Sequence, residues 1–176
     1  MEREADLIYR KDQFVSGVSV KLGDVCKIKT GKLDANESKA NGKYKFFTCG
    51  KEELRIDDFA FSGESIIIAG NGDISVKFYD GRFNAYQRTY VLQPKEYFYL
   101  FLEEAKHQVN RLLNESQGSV IKFLTKGMLS TININVSSAS NCTNERLKSL
   151  YSQATKLNRQ REFLQNEKRL LLSKYF

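Results

Sequence analysis

Between Ala69 and Leu92 the chain reads AGNGDISVKFYDGRFNAYQRTYVL. This places Lys77, Arg82 and Arg88 among Phe78, Tyr79, Phe83, Tyr86 and Tyr90, with the amides of Asn71, Asn84 and Gln87 interspersed. Cations hold phosphates, amides read base edges, and planar rings stack on bases. The stretch holds no obvious nucleophile–base pair and no cluster of metal ligands. These residue types at this density point to a nucleic-acid-binding module rather than an enzyme. Further candidates for DNA contact lie in or beside predicted loops: Lys32, Asn36 and Lys43 upstream, Lys122 and Lys126 downstream. Within the central stretch, Gln87 and Arg88 have two readings, as base-reading groups or as a buried hydrogen-bonding scaffold.

Several other chemistries are disfavoured. Cys26, Cys49 and Cys142 are an odd set without CxxC spacing, and the chain has one histidine, which argues against a disulfide framework and against zinc. No cofactor is expected. His107 has no serine or cysteine partner in a motif and is expected to face solvent. Gly70-Asn71-Gly72 follows a strand but completes no GxGxxG, so it reads as a tight turn. Glu64 with Asp57 or Asp58 lacks the lysine that a restriction-nuclease signature carries two residues after its second acid. The only proline, Pro94, leaves no room for the Asn/Asp-Pro-Pro-aromatic motif of amino-methyltransferases. No catalytic residue is assigned.

The chain has 176 residues, 41% hydrophobic and 12% aromatic, enough to bury one ordinary core with a small appendage. Its net charge of +7 is uneven. Residues 144–176 carry eight Lys/Arg against three Asp/Glu, and residues 1–143 carry twenty against eighteen. A basic excess suits phosphates or acidic surfaces, and equally a solvated, lysine-rich helix face. The N-terminus lacks the apolar core of a secretory signal, and no apolar run approaches the ~20 residues of a membrane span. The expectation is a soluble, reduced, cytoplasmic protein with no membrane partner.

The elements that must position these residues follow from pattern. Residues 1–16 read as a loose or helical lead-in, Leu22–Val25 as a helical turn, and Gly31–Gly42 as a polar loop. Tyr44-Lys-Phe-Phe, Ser65-Ile-Ile-Ile-Ala69 and Thr89-Tyr-Val-Leu92 read as strands, the second buried on both faces. Asp80-Gly81 predicts a hairpin turn joining Val76–Tyr79 to Phe83–Tyr86. A helix opened by Pro94 carries an apolar stripe through Phe98, Phe101, Leu102, Ala105, Val109, Leu112 and Leu113, with Glu103, Glu104, Lys106 and Arg111 mainly away from it. Thr131–Val136 alternates as a half-buried strand. The fold class is therefore α+β, a mixed and mainly antiparallel sheet domain with packed helices, followed by one long C-terminal helix.

Ser137–Asn144, SSASNCTN, marks the boundary between a domain at 1–143 and a helix at 144–176, with Thr143 or Asn144 as N-cap. In that helix Leu150, Leu157, Leu164 and Leu171 recur every seven residues, with Leu147, Ala154, Arg161, Lys168 and Tyr175 interleaved. A stripe this narrow asks for another helix, the alternative being that it packs onto its own domain. It runs roughly 30 residues, or about 45 Å, and would overhang a domain of this size.

Together these segments carry a resemblance. LGDV (22–25), TGKLDAN (30–36), GKYKFFTCG (42–50), FSGESIIIAGNG (61–72), VKFYDGRFNAYQRTYVL (76–92) and GSVIKFLTKGMLSTININV (118–136) resemble one target recognition domain of the DNA specificity subunits of type I restriction–modification enzymes. The heptad helix resembles the spacer helix of that family. The resemblance implies double-stranded DNA, a methyltransferase subunit and, through that complex, a restriction subunit as partners, with no chemistry of its own. Members carry two recognition domains separated by two antiparallel helices. This chain has one of each, which implies a half-subunit that pairs as a homodimer. After Val136 the sequence departs from the family pattern, because a proline-containing segment is replaced by Ser137–Arg146. A different reading is a regulatory protein whose seam captures a methyltransferase or a full specificity subunit.

Overall fold

The structure, a computed structural model, describes residues 2–115 and 123–175. An N-terminal helix, α1 (Glu2–Gln13), leads into β1 (Val18–Lys21), the single-turn α2 (Leu22–Val25) and the short β2 (Lys29–Thr30). Strands β3 (Tyr44–Phe47), β4 (Leu54–Ile56), β5 (Glu64–Ala69), β6 (Val76–Asp80), β7 (Phe83–Ala85) and β8 (Thr89–Leu92) follow. Helix α3 (Phe98–Glu115), α4 (Lys126–Ser130), β9 (Asn133–Val136) and the long α5 (Ser140–Tyr175) complete the chain. The α+β class expected from the pattern is what forms.

β5 organises the domain. Its β-branched residues are buried on both faces, and strand alternation divides them. Ile66 and Ile68 face the main core with Leu100, Phe101 and Ala105 of α3, whereas Ile67 faces a smaller cluster with Phe61, Phe83, Ala85 and Val91. The four-stranded sheet β2-β8-β5-β6 is thus covered by helices on one side and on the other by the three-stranded sheet β4-β3-β7. A separate two-stranded ladder pairs β1 with β9.

Asp80-Gly81 does not make the expected hairpin. β6 pairs antiparallel with β5, and β7 pairs parallel with β3 in the other sheet. Gly81, at φ +149°, turns the chain out of one sheet and into the next. The dipeptide marks a positive-φ position correctly, but it cannot say which strand the chain then joins.

Three helical expectations also change. Pro94 precedes α3 by four residues instead of opening it, and α3 starts at Phe98. The lead-in is a working part of the core, with Ala5, Tyr9 and Asp12 of α1 buried against α3 and α5. α5 begins at Ser140, so the boundary expected at 143/144 falls one turn inside it. Asn144 does not cap α5. Its Oδ1 accepts the Tyr99 N–H at 2.9 Å and so caps the N-terminus of α3 from a different helix. Ser140 Oγ accepts from Ser137 N–H (2.9 Å) and donates to the buried Asp12 carboxylate (2.9 Å), which pins α1 to the root of α5.

Candidate nucleic-acid interface and helix seam

The best-positioned candidates gather at one rim of the sheets. Tyr86 to Thr89 form a turn, closed by Thr89 N–H to the Tyr86 carbonyl at 2.8 Å. Gln87 and Arg88 occupy its tip with exposed side chains. The backbone beneath them is tied to every neighbouring loop. Tyr86 N–H donates to Phe47 O (2.9 Å), Gln87 N–H to Leu33 O (3.0 Å), and Gly70 N–H to Arg88 O (2.9 Å). Cys49 Sγ also reaches Arg88 O at 3.5 Å. Gly31 fits here because a Cβ would stand 1.7 Å from the Ala85 carbonyl oxygen. Gln87 and Arg88 are therefore not buried scaffold. The main chain holds the framework and the side chains project from it.

Three loops converge on this tip. The first carries Lys32 and Asn36, both exposed. Asp34 caps its 3-10 turn by accepting Asn36 N–H (3.4 Å) and also accepts from Gln87 Nε2 (3.4 Å). The second carries the exposed Lys51. The third carries Asn71, which bridges the backbone of Phe123 and whose Oδ1 is buried with no hydrogen-bond partner among the described residues. Lys126 opens α4 with an exposed side chain, three residues past Phe123. Leu124 anchors that segment through its N–H to Gly70 O (2.7 Å) and its carbonyl to Tyr90 Oη (3.0 Å). Lys122 lies outside the described residues.

The remaining candidates are placed elsewhere. Arg82 sits over the Phe59 ring at 4.9 Å, Phe59 meets Tyr44 at 5.1 Å, and Lys43 lies over Tyr44 at 5.4 Å. This second group occupies the opposite end of β3 and β7, three to four strand residues from the rim, or ~10–13 Å. Tyr79 packs against Phe47 and Phe83 beneath Lys45 and belongs to the smaller cluster. Asn84 is buried, accepting Ala85 N–H at 2.9 Å and donating to Asp58 O at 3.4 Å. Lys77 and Tyr86 are half-buried. Asn84 and Tyr79 therefore hold the framework, a role the sequence hides because an interior strand amide and a loop amide look alike. The fold also brings Lys51 and Phe123 to the rim and Phe59 to the second group, none of them a candidate from the sequence. Phe123, 61% exposed, is an apolar ring in solvent that only the fold places beside Asn71.

Helix α5 divides into a rooted part and a free part. Leu147 and Tyr151 are buried in the domain core, and Leu150 and Ala154 are half-buried. Beyond them Leu157, Leu164 and Leu171 are 65%, 65% and 55% exposed. At 100° per residue the Leu150/157/164/171 row spans about 60° of the helix surface and lies about 100° or more from Tyr151. Arg159 (to Asp80, 3.4 Å) and Glu162 (to Lys45, 3.6 Å) reach back to the domain from the other side. The outer leucines Leu157, Leu164 and Leu171 are therefore left largely in solvent, with Leu164 at the edge of a groove that Glu64, Phe78 and Asp80 also line. Phe163 and Leu170 form a second exposed pair at the same seven-residue spacing.

The helical layer holds several buried polar groups. Glu103, 2% exposed, accepts from the Tyr151 hydroxyl and pairs with Lys106 at 3.1 Å. Tyr9 donates to Glu104 and Tyr99 to Glu64. Burial, reinforced by these carboxylates, pushes all three phenols well above their ordinary range. His107 does not face open solvent as expected. It stacks on Tyr9 at 5.2 Å and pairs with Asp6 at 2.6 Å, because α1 covers the helix face that a single-helix projection leaves bare. Among the described residues no group of three or more His, Cys, Asp or Glu is placed to hold a metal ion, and no helix is long and apolar enough to cross a membrane.

Residues 17–163 match the family described as type I restriction modification DNA specificity domain. The chain belongs to this family. It is 39% identical over 129 residues to the EcoDI type I restriction enzyme specificity subunit of Escherichia coli, covering 71% of this chain and 28% of that protein. Its fold is similar to the S subunit of a type I restriction–modification system from M. genitalium, with TM-score 0.70 at 15% identity over 94% of this chain and 50% of that one. It is also similar to the HsdS subunit of Thermoanaerobacter tengcongensis, with TM-score 0.55 at 14% identity over 90% and 45%. The chain thus spans about half the length of these S subunits.

Proposed function

We propose that this specificity-domain protein reads one half of a split double-stranded DNA target and pairs through α5 with a second copy. The pair directs methyltransferase, and through it restriction, subunits to the full site. The observation that carries the pairing is the outer leucine row of α5, Leu157, Leu164 and Leu171, each more than half exposed. An apolar row on a helix that overhangs its domain asks for another helix. Membership of a DNA specificity family supports the DNA reading, as does a rim where the exposed Lys32, Lys51, Gln87 and Arg88 side chains project beside a turn tied by main-chain hydrogen bonds to Phe47, Leu33 and Gly70. In this reading the phosphate contacts come from the lysines and the base contacts from Gln87, Arg88 and Asn36. The protein positions its partners and transfers no group itself.

Two identical copies related by a two-fold axis read the same half-site twice, so the target is an interrupted palindrome. Selection of bound sequences from a random duplex pool, with the partner methyltransferase present, tests this. Recovery of an asymmetric bipartite motif, or of none, refutes it.

A further inference from the structure

We infer that α1 belongs to the interface between copies, its outer flank around Leu7 receiving the last turns of the second copy's α5. This rests on the pairing of α5 helices proposed above.

The argument begins at the root of α5. α1 runs antiparallel to it. Asp12, near the end of α1, bonds Ser140 at the start of α5, and Ala5 and Leu147 share the core. Between the two helices a groove is lined by Glu4, Leu7, Ile8, Lys11, Thr143 and Arg146. Leu7 is 58% exposed, an unpartnered leucine next to the start of the leucine row.

A two-fold pairing of antiparallel helices has one register in which all four leucines meet leucines. Leu157 then stands opposite the second copy's Leu164, and Leu150 opposite its Leu171. In that register the residue numbers of facing positions sum to 321, so the last turn of the second helix stands beside Arg146, and therefore beside Leu7. α1 runs parallel to the incoming helix there, and the two are neighbours on the same helix. Charge agrees with this placement. The first turn of α1 carries Glu2 and Glu4. The second copy's Lys168 and Arg169, opposite Gln153 and Ser152, arrive level with that turn. The exposed Leu170 and Leu172 travel with them.

Cross-linking tests the inference. Leu7→Cys and Leu172→Cys, each in a Cys142→Ser background, are prepared separately, allowed to exchange subunits, and treated with a short bismaleimide. Within one chain Leu172 lies ~39 Å along the helix from Arg146, which excludes an intramolecular link to position 7. The expected result is a covalent dimer in the mixture and not in either variant alone, with the linked peptide containing both new cysteines. Independently, Leu7→Glu, a change at an exposed position, raises the dimer dissociation constant by roughly tenfold or more. If light scattering shows a dimer whose mixture links no better than the single variants, and Leu7→Glu leaves its dissociation constant unchanged, the role of α1 is wrong while the helix pairing stands. If the wild-type chain is monomeric at high micromolar concentration, both fail.

Discussion

Replacing Leu157 and Leu164 together by glutamate separates a seam used for pairing from one that is merely solvated. Both side chains are 65% exposed in the single chain. Fully burying a leucine is worth about 1.5–3 kcal/mol, so roughly two-thirds of that, ~1–2 kcal/mol, remains to be gained at each position when a second helix covers it. A symmetric dimer contains four such leucines, which gives ~4–8 kcal/mol before any cost of placing carboxylates in the seam. The dimer dissociation constant should rise at least about a thousandfold. The isolated domain should scarcely notice, because neither side chain contributes to the core and exposed substitutions usually change stability by less than ~0.5 kcal/mol. Sedimentation or light scattering across a concentration series measures the first quantity, and thermal unfolding under dissociating conditions the second. A variant that still dimerises within a few-fold of wild type would refute the reasoning. So would one that loses several degrees of Tm as a monomer, because the row would then be packing on its own domain.

Other expectations follow from the same geometry. Arg88→Ala weakens duplex binding by about 1–3 kcal/mol and relaxes specificity at one position of the target, whereas Asn84→Ala acts chiefly on stability; equal effects of the two on binding and on stability would overturn the division between rim and framework. Asn144→Ala removes the cap on α3 and costs about 1 kcal/mol, a loss of roughly 2–4 °C in Tm for a chain of this size, and an unchanged Tm would show the cap to be idle. Tyr9, Tyr99 and Tyr151 have phenol pKa values raised above the ordinary 10.0 on folding. The folded state therefore keeps protons that the unfolded chain has lost above that value. The contribution is intact below pH 10 and drains away as pH rises, by up to ~4 kcal/mol per pH unit for three such groups. Urea unfolding between pH 8 and 11 should show a decline that is shallower in Tyr151→Phe, and a flat profile would contradict it.

Much of the framework was legible because local pattern and tertiary packing agree there. The Ser65–Ala69 run reads as a strand buried on both faces, and β5 has an apolar layer on each side. The alternation of Ile132 and Ile134 likewise matches their burial ahead of and within β9. Failures cluster where a residue's surroundings come from distant sequence. Glu103 and His107 fall on the polar side of a helical projection of α3. That side is covered by α1 and α5, so one carboxylate is buried against Tyr151 and the imidazole is stacked on Tyr9. Asp80-Gly81 announces a turn but not the sheet change it makes. In the candidate interface, Gln87 and Arg88 stood out by residue type, whereas Lys51 and Phe123 are brought to the rim only by the hydrogen bonds that gather four loops. The heptad row was visible throughout. Its division into a buried root and a bare shaft depends on where the domain ends in space.

The turn at Tyr86–Thr89 separates two jobs that most loops combine. Tyr86 and Gln87 donate their amides to Phe47 and Leu33 and the Arg88 carbonyl accepts from Gly70, while the side chains of Gln87 and Arg88 are exposed, Gln87 keeping one bond to Asp34. Selection can therefore change those side chains, and Lys32 beside them, without first compensating for lost stability. If the rim reads sequence, as proposed above, these are positions where mutation is thermodynamically cheap, mounted on a scaffold that does not need to change with them.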